Sequence, residues 1–144
     1  YHIAVGIWTV NDRNEILITL RSPEKHDWPD LWENTAGSLL AGETSRQGAV
    51  RELFEETGIR AAEDELFFLG TETGRSTIGD CYIVRKNVDI RDIVFQKGET
   101  CCARWVTLPD LDEMIEGDLV APPVAARLVK VRGRFEDYLY GRIG

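Results

Sequence analysis

The sequence predicts an α/β (α+β) layered domain, and three observations carry that expectation. Several β-rich segments alternate apolar and polar positions between turn signals. Two stretches, 45–57 and 122–140, repeat apolar residues at helical spacing. A loop that starts at Gly37 runs directly into the first of these helices. Mixed strands flanked by helices pack as layers around a sheet, and 144 residues suffice for one domain over 1–144 with its own core.

The elements follow in order. Tyr1 to Val10 alternates as a strand, Asn11 to Asn14 is a turn, and Glu15 to Arg21 completes a hairpin. Residues 22–30 form a loop with Pro23 and Pro29, carrying Arg21, Lys25 and His26 as basic groups. Trp28 lies within it and Trp32 follows it closely. Both tryptophans can cover the edge of the core. The alternative is that they wall the non-reacting half of a ligand, with Arg21 or Lys25 near a phosphate. Trp32 to Leu40 continues as a short strand into the glycine loop. Strands are expected at 66–73 and 78–86 about a turn at 74–77, then at 90–95 and 101–107. Leu108-Pro109-Asp110 opens a short helix to about 116. Pro122-Pro123 starts the last helix, with Val124, Leu128, Val131, Phe135 and Leu139 in register.

The helix over 45–57 has local start and stop signals. Thr44 with Gln47 three residues on matches a capping box, and Gly58 suits a left-handed C-terminal cap. At 100° per residue, Glu52, Glu55 and Glu56 fall within an arc of roughly 100°, read as one exposed face. Ala49, Val50, Leu53, Phe54 and Thr57 form the expected core-facing stripe. Like charges one turn apart repel, so something positive should sit among the glutamates. Carboxylates without His or Cys make an all-oxygen site suited to Mg²⁺, Mn²⁺ or Ca²⁺. Arg51 lies one turn before Glu55, placed to pair with it. Gly48, inside the acidic arc, would leave room for a metal or phosphate to approach the backbone.

The net charge of −8 argues against a nucleic-acid partner, which calls for a basic stripe. A phosphate ligand would have to be met by local Lys or Arg and by metal ions. Cys81, Cys101 and Cys102 make no disulfide framework, which points to a reducing, cytoplasmic setting. No membrane-length apolar run or signal peptide is evident, and a symmetric homodimer is the default expectation for any oligomer.

Gly37, Glu43, Arg51, Glu52, Leu53, Glu55, Glu56, Gly58 and Ile59 stand at the spacing Gly, five residues, Glu, seven residues, Arg-Glu-apolar-x-Glu-Glu-x-Gly-apolar. A chance match of its fixed residues is on the order of 10⁻⁹ per start position. This pattern resembles the signature of the Nudix hydrolases (MutT-like). The resemblance implies an α/β/α sandwich with a mixed sheet, and Mg²⁺- or Mn²⁺-dependent hydrolysis of a diphosphate bond in a nucleoside diphosphate derivative or related small molecule. It further implies that Glu52, Glu55 and Glu56 hold metal with the Gly37 carbonyl, that Arg51 orients a glutamate, and that Glu43 braces the loop. The general base would be a signature glutamate or a later residue, with Glu99 the later candidate. The stretch Arg21 to Gly37 is similar to the branch containing isopentenyl diphosphate isomerases. Those enzymes need a cysteine just after the tryptophan, where this chain has Glu33-Asn34-Thr35-Ala36. An isomerase-like enzyme and a non-catalytic nucleotide-sensing module are the alternatives.

Overall fold

Alternate residues of the first strand are committed to opposite faces, and the two helical layers follow from that. In β1 (His2–Val10), Val5 and Ile7 face one way and Trp8 and Val10 the other, all buried. The protein, seen in a computed structural model, is described over residues 2–73, 77–95 and 100–142. The remaining strands are β2 (Glu15–Arg21), β3 (Trp32–Glu33), β4 (Thr35–Ser38), β5 (Phe67–Thr73), β6 (Thr77–Arg85) and β7 (Thr100–Thr107). The helices are α1 (Ser45–Thr57), α2 (Leu108–Glu116) and α3 (Pro122–Leu139).

The sheet is mixed. β1 runs parallel to β6 along its whole length, and β5 adds antiparallel to β6. On its other side β1 pairs with β4 near its start, and meets β2 only at Val10 and Ile16. β2 in turn pairs with β3 and β7. Two half-sheets therefore diverge from the β1–β2 hairpin, leaving an opening beside β4.

Val5, Ile7, Leu17, Tyr82 and Val84 face α1 and pack with Ala49, Leu53 and Ile59. Trp8, Ile16, Ile18, Ile83 and Val106 face α2 and α3, packing with Leu111, Leu128 and Phe135. This is an α/β/α sandwich. Every residue placed in the apolar register of the last helix, Val124 through Leu139, is buried. Trp32 couples the layers: its N–H donates to the Leu119 carbonyl at 2.9 Å, and its own carbonyl accepts from Ala121 at 2.9 Å.

Three details depart from the sequence reading. The expected strand over 32–40 is two short pieces, because Trp32 and Glu33 pair with β2 whereas 35–38 pair with β1. Buried Asn34 makes the switch, its Nδ2 donating to the Ile7 carbonyl at 3.4 Å. The apolar stretch 90–95 forms no strand. Asp89 accepts from the Arg91 N–H and starts a 3₁₀ turn over Ile90–Asp92. The Val94 N–H, which a strand would need, donates to the Thr57 carbonyl at the end of α1. Phe54, assigned to the core stripe of α1, is 43% exposed and lies under the Arg60 guanidinium at 4.3 Å from the ring centroid. Residues 74–76 of the expected turn lie outside the described residues.

Candidate active site

The loop after β4 and the start of α1 are locked together by the caps visible in the sequence. Thr44 accepts from the Gln47 N–H at 3.1 Å, Gln47 returns a bond to the Thr44 N–H at 2.9 Å, and Gly58 closes the helix with φ 78°. The positive group among the glutamates is Arg51. Its Nη1 donates to Glu52 Oε1 at 2.8 Å and Glu55 Oε2 at 3.0 Å. Its Nε and Nη2 grip Glu43 at 2.7 and 3.0 Å, and Nη2 also donates to the Ser38 carbonyl at 2.9 Å. Glu43 Oε1 additionally accepts from the Leu40 N–H at 3.0 Å, so Glu43 braces the loop. The Arg51 bonds, followed by the Leu40 N–H, hold the Glu43 carboxyl down at about 2.

The three signature glutamates do not share one exposed face. Glu55 is 43% exposed, Glu52 only 15%, and Glu56 is buried. The stripe facing the sheet is wider than the sequence pattern suggested, because α1 lies close against β4 and takes Glu56 inward. Burial raises the Glu52 carboxyl pKa against the opposing pull of Arg51. The Glu52 carboxyl occupies the space that a Cβ on residue 37 would fill, so Gly37 is what lets it lie against the loop backbone. Gly48 has a different role from the one expected. A Cβ there would strike the Leu39 side chain and crowd Glu43 Oε1, so its space is filled by protein packing.

These residues suit a hard divalent cation in donor type. Glu52 and Glu56 are carboxylates brought out of water on consecutive turns of one helix, with Glu55 beside them and a side-chain-free backbone at Gly37. Among the described residues no three acidic, His or Cys side chains already converge at ligand geometry, since Arg51 engages Glu43, Glu52 and Glu55.

Gly37 and Ser38 also border a cleft of about 740 Å³ between the sheet and α3. Trp28 and Arg21 line it, whereas Lys25 and Trp32 are not among its lining residues. Trp28 is 47% exposed and sits at φ 51°, an uncommon backbone state for a bulky residue. Arg21 is engaged, donating to the Asp27 carbonyl at 2.7 and 3.0 Å and to Glu33 at 2.8 Å, which folds the 22–30 loop onto the cleft. Trp32 packs at the core edge under Arg104, whose guanidinium is 5.6 Å from its ring centroid. Glu99 lies outside the described residues.

Sequence reasoning missed Arg127 and Lys130 on α3, and Glu72 and Cys81 on the sheet, all of which line the cleft. Arg127 and Lys130 carried a usable signal: they sit three apart, beside the apolar register of the helix. Glu72 and Cys81 carried none, because strand pairing alone brings them there. Cys81 is buried, and burial followed by the Glu72 charge pushes its thiol up to about 12, which keeps it protonated and unreactive near neutral pH.

The family model described as NUDIX domain matches residues 1–128. An uncharacterized Nudix hydrolase of Listeria monocytogenes is 34% identical over 117 residues, covering 78% of this chain and 68% of the relative. An isopentenyl-diphosphate Delta-isomerase of Corynebacterium diphtheriae is 38% identical over 66 residues, 45% of this chain and 35% of the isomerase. Among solved structures, the NUDIX domain of Shewanella oneidensis NrtR complexed with ADP ribose aligns at a TM-score of 0.73 and 19% identity, covering 92% of this chain and 87% of that one.

Proposed function

The chain belongs to the Nudix family, and from that premise we propose that it is a Mg²⁺- or Mn²⁺-dependent pyrophosphohydrolase acting on a nucleoside diphosphate derivative. One observation supports this reading above the others. Gly37, against which the Glu52 carboxyl of α1 lies, borders a cleft whose α3 wall carries Arg127 and Lys130. In a chain with net charge −8, that pairing of acidic metal donors with local cations is what a diphosphate requires.

In this reading Glu52, Glu55 and Glu56, with the Gly37 carbonyl, hold the metal. When bound, a divalent ion supplies neutralisation of the diphosphate oxygens and a lowered pKa for the attacking water. Arg51 keeps Glu52 and Glu55 oriented through Nη1, while Glu43 anchors Arg51 to the loop. A glutamate accepts the water proton, and Glu55, the most exposed of the three, and Glu99 are the candidates. Trp28 offers a flat wall for the non-reacting half, and Arg21 holds the loop that carries it.

The segment after Trp32 holds Glu33, Asn34, Thr35 and Ala36, with no cysteine, which weighs against isomerisation although part of the chain aligns with isomerases. The test is product release from a panel of nucleoside diphosphate derivatives with Mg²⁺, comparing wild type with Glu55→Gln, Glu56→Gln and Glu99→Gln. Loss of roughly 10²-fold or more in kcat with Glu56→Gln is expected. Activity indifferent to all three changes would sink the mechanism. Binding without turnover would favour a non-catalytic nucleotide module, and double-bond migration in isopentenyl diphosphate would favour an isomerase.

A further inference from the structure

The next inference rests on the cleft being a diphosphate site and concerns its far end. Ala4 pairs with Ser38 on one side and with Gly79 on the other, and Gly79 pairs with Glu72. Paired residues on neighbouring strands share a face, so these four form one row across β4, β1, β6 and β5. Three strand spacings of ~4.8 Å make the row about 14 Å long. It starts at the loop beside Glu52 and ends at a carboxylate. Three of its four members are small, and Gly6 pairs with Ala36 in the next row facing the same way. A Cβ on Gly79 would have Ala4 atoms as its nearest neighbours, at 3.5–3.8 Å. The floor is flat because its residues are small.

Glu72 ends this shelf under unusual conditions. Its side chain is only 13% exposed, and among the described residues its buried Oε1 has no hydrogen-bond partner. Oε2 lies 3.8 Å from Arg127 Nε, an ion-pair contact too long for a hydrogen bond. A glutamate serving only to hold Arg127 would place both oxygens on the guanidinium. Glu72 is also three strand spacings from β4, beside which the Glu52 carboxyl lies, too far to share the same reacting atoms. A buried carboxyl oxygen left without a partner complements one thing, a hydrogen-bond donor.

We propose that Glu72 is a specificity determinant that accepts a hydrogen bond from a donor-bearing head group on the non-reacting half of the substrate. The donor is an N–H of a flat nucleobase or an O–H of a sugar lying on the small-residue shelf. Arg127 and Lys130 stand above the same shelf, ready to meet phosphate charge between that head group and the metal site.

The test titrates wild type, Glu72→Leu and Glu72→Gln with ADP, with purine riboside 5′-diphosphate and with 2′,3′-dideoxy-ADP, in Mg²⁺, and follows hydrolysis of the matching diphosphate derivatives. Wild type is expected to bind ADP at least 10-fold more tightly than one of the two donor-poor analogues. Preference lost with the purine analogue assigns the base amine; preference lost with the dideoxy analogue assigns the sugar. Glu72→Leu should weaken ADP by about 10–100-fold, leave the donor-poor analogue unchanged, act on KM more than kcat, and not lower the melting temperature. Glu72→Gln, which keeps an acceptor and the packing volume, should be intermediate. Equal affinity of wild type for all three ligands overturns the assignment without needing a variant, as does equal weakening of every ligand by Glu72→Leu. Discrimination that persists in a protein without turnover would overturn the enzymatic reading and sustain this one.

Discussion

Arg51 and Glu43 meet fork to fork, Nε to Oε2 at 2.7 Å and Nη2 to Oε1 at 3.0 Å. The same guanidinium also holds Glu52, Glu55 and the Ser38 carbonyl. One planar cation thus ties the loop after β4 to two turns of α1, and α1 cannot shift along the sheet without breaking it.

Arg51→Lys keeps the charge and removes the fork. A lysine presents one point of charge and cannot satisfy Glu43, Glu52 and Glu55 together. We expect kcat/KM for the diphosphate substrate to fall by roughly 10²-fold, the order seen when a catalytic group is misplaced by about 1 Å. Steady-state kinetics beside a circular dichroism spectrum checks this. Wild-type kinetics in the lysine variant would show that charge alone suffices.

Two glycines of the signature should respond in opposite ways. In Gly37→Ala the new methyl displaces the Glu52 carboxyl, a mobile group, so activity should collapse while the melting temperature changes little. In Gly48→Ala the methyl displaces Leu39 from the core beneath α1. Overpacking of about 1–3 kcal/mol should exceed the helical gain of about 0.5–1 kcal/mol, leaving the variant less stable. Paired melts and assays distinguish the two; a stabilised Gly48→Ala protein would refute the packing account.

Neighbouring apolar residues on α1 give a test of how the helix is rotated. Leu53 is fully buried, so Leu53→Ala should cost about 2–5 kcal/mol. Phe54 loses mainly its stacking with Arg60, so Phe54→Ala should cost under about 1 kcal/mol. Urea denaturation of both variants reads the difference directly. Similar losses would mean that Phe54 is covered in solution.

The α2–α3 joint should titrate. Arg132 donates to both Asp112 oxygens, at 2.7 and 2.8 Å, and holds that carboxyl below its ordinary range. A carboxyl depressed in the folded state contributes stability above the unfolded value of about 3.9, and loses it as pH falls through the folded value. Both partners are over a third exposed, so Asp112→Asn should cost only about 0.5–1 kcal/mol at pH 7. Thermal melts of wild type and variant should converge once the pH is well below about 3.9. A gap of constant size down to acid pH would place the cost in packing instead.

Amino-acid order by itself determined the loop–helix unit. Thr44, Gln47 and Gly58 act on backbone groups within a few residues, so the bounds of α1 and its caps were legible before any fold was known. The spacing of Arg51, Glu52, Glu55 and Glu56 was legible for the same reason, as was the apolar register of α3. Tertiary structure decided which way those residues face. It buried Glu56, filled the space beside Gly48 with Leu39, turned Phe54 outward, and placed Trp28 rather than Trp32 along the cleft. It also brought Glu72 and Cys81 on the sheet to the same cleft as Arg127 and Lys130 on α3. Those positions depend on β1 pairing parallel with β6, and on α3 crossing back over the sheet. Such contacts join residues tens of positions apart, and no local periodicity encodes them.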